Sequence, residues 1–154
     1  MLENHRKAVE KLTVSLGIYT GVIFILYSIY FSQIIKGKPE KLELEILKAL
    51  ANWMIATGVK SQSQIWFMLI FSVILETAYF ALVLTLISNP FLWYFTWLFI
   101  GIEIIHIAIV FLAFYRFFHT RLLLKDIFQW RFERVSAIFF FTHSMLVIIY
   151  LVFL

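Results

Sequence analysis

Glu103 and His106 stand three positions apart in FIGIEIIHIAIVF, residues 99–111, a stretch with no other ionisable side chain. Residues at that spacing share one face of a helix. An acid and an imidazole so placed can ligate a metal, relay a proton or hydrogen-bond a ligand. Two more ionisable residues sit in equally apolar company: Glu76 in FSVILETAYFALV and His143 in IFFFTHSMLVIIY.

Four chemistries suit such a set. Glu and neutral His are ordinary ligands of iron, zinc, manganese and copper. Glu103-x-x-His106 has the spacing of carboxylate-bridged sites in helical bundles, which use two such pairs and two further Glu. This chain has one pair, so a mononuclear site built from Glu76, Glu103, His106 and His143 is the more economical expectation. The resemblance to carboxylate metalloproteins covers the four residues of Glu103-x-x-His106 alone. Alternatively, His106 and His143 could be the axial ligands of a b-type haem. A third possibility is proton handling, or binding of a quinone-like small molecule. Trp93, Trp97, Phe99 and Phe111 would suit a flat ligand, and equally suit packing or lipid. The fourth is structural: buried Glu and His can hydrogen-bond neighbouring helices, contributing about 0.6–2 kcal/mol each, as in an accessory subunit of a larger membrane complex. The leading expectation is a metal or haem site in redox or electron-transport chemistry.

The elements that position these residues follow from the hydrophobic runs. Four segments reach the roughly 20 apolar residues of a membrane span: about 12–35, 65–87, 91–118 and 131–154. Ser88-Asn89-Pro90 joins the second and third, with Asn89 suited to an N-cap and Pro90 to the first helical position. Glu76 lies fourteen positions before Pro90 and Glu103 fourteen after Asn89. At about 1.5 Å rise per residue both sit roughly 20 Å from the turn, near the bilayer midplane. An ionised carboxylate there costs about 2.5–3.5 kcal/mol if it faces lipid, so these groups face the bundle interior or a water-filled cavity. Ser72, Glu76 and Tyr79 share one face of the second span. Thr13, Thr20 and Tyr27 recur every seven residues in the first span, and Ser136, His143 and Tyr150 in the fourth, as interior seams do. Gly17 and Gly21 form a G-x-x-x-G pair that permits close helix approach.

Composition agrees with spans. The chain of 154 residues is 63% hydrophobic and 14% charged, with a mean hydropathy of +0.94. So short a chain cannot hide that much apolar surface from water. The expected fold is a single all-α domain over residues 1–154, an integral membrane four-helix bundle in the lipid bilayer, associated with other membrane subunits or with itself. The net charge of +4 is no nucleic-acid signature, because the basic residues lie in short links between apolar runs. With no cysteine, disulfides, thiolate metal sites and cysteine nucleophiles are excluded. The first apolar run is too long for a signal peptide and lacks a small-residue cleavage site. No nucleotide-binding glycine loop, H-E-x-x-H or G-x-S-x-G occurs.

Residues of about 40–57 between the first two spans place Leu42, Ile46, Leu50, Trp53 and Met54 on one face. Glu40, Lys41, Glu45, Lys48 and Asn52 lie on the other. This predicts an amphipathic helix in the membrane interface. Arg121, Lys125, Arg131 and Arg134 are expected to meet lipid headgroups or an anionic lipid. Arg116, His119 and Glu133 are expected to snorkel outward at span ends. Basic residues crowd the first and third links and are absent from the Asn89 hairpin, which predicts both termini outside.

Overall fold

A computed structural model describes residues 2–120 and 123–153; Arg121 therefore lies outside the described residues. The chain is all helical, as its periodicity requires. The helices are α1 (Leu2–Ile35), α2 (Pro39–Thr57), α3 (Lys60–Leu86), α4 (Pro90–His119) and α5 (Trp130–Phe153), with a short 3-10 turn at Leu124–Asp126. α1, α3, α4 and α5 are long and apolar enough to cross a membrane.

Helix ends follow local chemistry. The Asn89 side chain accepts from the Leu92 backbone N–H at 3.1 Å, and Pro90 opens α4. Gly37 and Gly58 adopt φ of +65° and +59°, where a Cβ is unfavourable, and so set the two ends of α2. α1 begins ten residues before the apolar run does. Its first turns are polar and carry a Lys7–Glu3 pair of 2.7 Å, which holds helix where hydropathy gives no signal.

The spans pack in the cyclic order α1, α3, α4, α5, and α5 closes the ring on α1. Neighbours run antiparallel. Two apolar clusters form inside. The larger, toward the Asn89 hairpin, includes Leu16, Tyr79, Phe80, Phe99, Phe140 and Val147. The smaller joins Ile65, Phe114 and Ile127 to Leu50, Trp53 and Met54 of α2. The apolar residues of the spans otherwise point outward: only 11% of the most apolar window of α1 is buried within the protein. Such a surface belongs in lipid. The Gly17/Gly21 pair makes no close helix contact; a Cβ at either glycine would meet nothing within 4 Å.

α2 lies along the bundle against α1, α3 and the 3-10 turn. Its inner face is Glu43, Leu47, Leu50 and Met54, spaced four, three and four. Glu43 is 3% exposed. Both its oxygens are held by Arg134 of α5, at 2.6 and 2.8 Å, and Tyr30 of α1 donates to it at 2.8 Å. Arg134 also reaches Glu40 at 3.1 Å. Arg134 is thus turned inward onto α2 rather than out to headgroups, because a buried carboxylate demands a counter-charge. Lys125 and Arg131 remain exposed at that end of the molecule.

Candidate functional site

A polar layer separates the two apolar clusters. It starts at Glu103 on α4, which is 2% exposed. Glu103 Oε1 accepts from the Ser136 hydroxyl of α5 at 2.7 Å, and Oε2 lies 3.1 Å from His106 Nδ1. One helical turn along, His106 Nε2 lies 3.2 Å from Glu133 Oε1 of α5, within ion-pair range but without a hydrogen bond. The imidazole is therefore sandwiched between two carboxylates. With protons on both nitrogens it faces both acids as a cation; with one proton it can donate to only one.

Glu76 of α3 flanks this run. Its charge interacts with Glu103 and His106, and the Tyr27 phenol of α1 lies in electrostatic range of Glu76, Glu103 and Glu133. Glu76 and Glu103 are thus in electrostatic range of each other, as their equal counts from the hairpin lead one to expect. Glu76 Oε1 accepts from Ser72 at 2.9 Å, while Oε2 is buried with no hydrogen-bond partner. A buried acceptor left unpaired costs about 1–3 kcal/mol. Glu76 also lines a cavity of about 320 Å³ between α1 and α3, with Tyr19, Leu26, Tyr27, Ser72 and Phe140.

His143 belongs to a different layer. It is fully buried and seven residues past Ser136, about 10 Å closer to the hairpin. Tyr79 Oη is 2.7 Å from Nδ1, and Thr96 Oγ1 is 2.8 Å from Nε2. Thr96 spends its own proton on the Leu92 carbonyl at 2.7 Å, so it accepts from Nε2–H. Tyr79 then donates to Nδ1. This assigns a neutral ring with both nitrogens used. The rings of Phe80, Phe95 and Phe99 enclose it at 6.0, 5.7 and 5.4 Å.

Glu76, Glu103 and His106 thus share one layer and His143 does not. The α5 seam of Ser136, His143 and Tyr150 serves three layers: Glu103, the Tyr79–Thr96 pair, and Ser88 in the hairpin, whose hydroxyl is 3.2 Å from Tyr150. Among the described residues no three His, Asp or Glu side chains are arranged to hold a metal ion, since Glu103 and Glu133 occupy opposite edges of the His106 ring. His106 and His143 lie one layer apart, and both ring nitrogens of His143 are hydrogen-bonded. Trp93, Trp97 and Phe111 point largely outward and Phe99 is core; none lines the Glu76 cavity.

Glu133 is the member that hydropathy hides, because it sits beside Arg131 and Arg134 at a span end. Its signal is spacing. Glu133, Ser136, Phe140, His143, Val147 and Tyr150 step by three and four along one seam of α5. Glu43 of α2 has the same kind of signature. In comparisons with known proteins, no family model, curated protein or solved structure matches this chain.

Proposed function

We propose that this multi-pass membrane protein binds a small lipophilic molecule beside Glu76 and exchanges protons between that site and its basic end. In this reading both termini lie outside, so the basic end is cytoplasmic. The observation that carries it is the run Ser136–Glu103–His106–Glu133, which leads from the midplane layer beside Glu76 toward the start of α5. Intramembrane acids and imidazoles in such chains suit proton relay. Glu103 and Glu133 are the acceptors and His106 the two-ended carrier between them. The cavity lies against the lipid-facing edges of α1 and α3, so a lipophilic ligand can enter from the bilayer.

A second reading is an accessory subunit or self-associating bundle. It draws on a groove of about 560 Å³ between α3 and α4, lined by Val73, Thr77, Ile104, Ala108 and Phe111 among others. A helix of a neighbouring subunit would cover it.

Infrared titration of the reconstituted protein tests the first reading. The carboxylic-acid stretch of the buried glutamates of this layer should grow and fade with bulk pH, and the response should change on His106→Gln. If no buried carboxyl exchanges with bulk water, the layer only holds helices together and the second reading stands.

A further inference from the structure

We propose that the α1/α3 cavity is a site for a lipophilic organic cation, an amine or an onium compound, which displaces a proton from Glu76. The proposal rests on the binding reading above and narrows it to one ligand chemistry.

Charge complementarity carries it. The polar layer holds three carboxyls, Glu76, Glu103 and Glu133, and one basic group, His106. The nearby guanidinium, Arg134, is committed to Glu43 and Glu40. A protonated His106 serves Glu103, hydrogen-bonded at Nδ1, and Glu133, 3.2 Å from Nε2 as an ion-pair neighbour without a hydrogen bond. Glu76 has only the Ser72 hydroxyl on one oxygen, and its other oxygen is buried without a partner. Two uncompensated carboxylates inside a membrane are costly, so the layer must hold protons or accept a positive charge.

The walls of the cavity select the second option. Tyr19, Tyr27 and Phe140 present aromatic rings, and the remaining lining is aliphatic apart from Ser72 and Glu76. Tyr27 and Phe140 stack on each other at 4.7 Å, and an aromatic wall attracts an onium group by about 0.5–2 kcal/mol. An anion would meet the three carboxyls and be repelled, and a neutral molecule would gain only apolar contact. The groups around Glu76 are Tyr19 and Tyr27 of α1, Phe140 of α5 and Ser72 of its own helix, which line the same cavity, with Glu103 and His106 of α4 in electrostatic range. No fixed cation is among them. When the ligand enters, the Glu76 carboxylic acid gives its proton to water, and the charge of the site is unchanged.

Binding to the detergent-purified full chain tests this with two ions of matched size and shape: tetraphenylphosphonium and tetraphenylborate. The phosphonium should bind, releasing one proton per ion in weakly buffered solution. Its affinity should fall about tenfold per pH unit on the acid side, as for competition with a single proton. Glu76→Gln should weaken it at least about tenfold, while Glu76→Asp, which keeps the charge, should retain it. Equal binding of tetraphenylborate, unchanged binding in a folded Glu76→Gln, or binding without proton release would each overturn the proposal. Decylubiquinone separates this failure from a wider one. If the quinone binds in a Glu76-dependent manner and the phosphonium does not, the lipophile reading survives and the cation class is wrong. If neither binds, both fall.

Discussion

Removing the His143 ring would leave the hydroxyls of Tyr79 and Thr96 facing an apolar space lined by Phe80, Phe95 and Phe99. Each intramembrane hydrogen bond is worth about 0.6–1.7 kcal/mol, and the vacated volume adds a cavity term. His143→Ala should therefore destabilise the bundle by about 3 kcal/mol and Tyr79→Phe by about 1 kcal/mol, read from reversible unfolding in mixed micelles. Equal, near-zero effects would show that the ring is not held as assigned. The sequence made His143 visible as a polar residue near the middle of its span, at a depth expected to be comparable to that of Glu103. It could not tell one layer from the next, because about 10 Å along a helix is only two turns and pairing depends on the axial offset of α5 against α4. Glu76 and Glu103 were legible because a two-sided count from a tight turn fixes their offset without knowing the packing. Glu133 was not, because charge beside a span end is read by default as snorkelling.

α2 shows how one buried acid reshapes an element. An amphipathic stripe of Leu42, Ile46, Leu50, Trp53 and Met54 predicts a helix lying on the interface. The helix is as expected in extent, but its inner face is shifted toward Glu43, which ties it to α1 and α5. Burial alone would push the Glu43 carboxyl up. The hydrogen bonds from Arg134 and Tyr30 and the guanidinium charge outweigh it and hold the carboxyl below the usual carboxylate range. Because the folded value is lowered, the stabilisation is complete above the unfolded value of about 4.3 and is lost as pH falls through the folded one. Hydrogen exchange over residues 39–57, corrected for intrinsic rates, should thus be independent of pH near neutrality and accelerate in acid. Glu43→Gln should give the fast exchange already at neutral pH. Arg134→Gln should be worse, by about 2–3 kcal/mol, because it strands the carboxylate; partial exposure of the Arg134 side chain keeps this under the full cost of a buried pair. An identical pH profile in wild type and Glu43→Gln would remove α2 docking from the list of acid-sensitive contacts.

At the scale of the whole molecule, the direction of the polar run depends on which way the bundle sits. Both long connections lie at one end, since α2 packs on the 3-10 turn between α4 and α5. That end gathers Lys36, Lys38, Lys41, Lys48, Lys60, Arg116, Lys125 and Arg131 as exposed basic residues, whereas Ser88-Asn89-Pro90 carries none. Arg6, Lys7 and Lys11 of α1 oppose this asymmetry, but they are fewer and Lys7 is paired with Glu3. Excess Lys and Arg in short connections keep that side in the cytoplasm. Glu133 and His106 stand between the Glu76 and Glu103 carboxyls and this basic end, so in the proposed orientation proton exchange would run to the cytoplasmic side. The absence of native cysteine makes the orientation directly measurable, because any introduced thiol is unique. In intact cells the thiol of an Asn89→Cys variant should react with a membrane-impermeant maleimide. That of a Lys125→Cys variant should react only after permeabilisation. The opposite pattern would invert the protein, place Glu133 toward the outside, and send the proton run to the other face of the membrane without altering the layer at Glu76, Glu103 and His106.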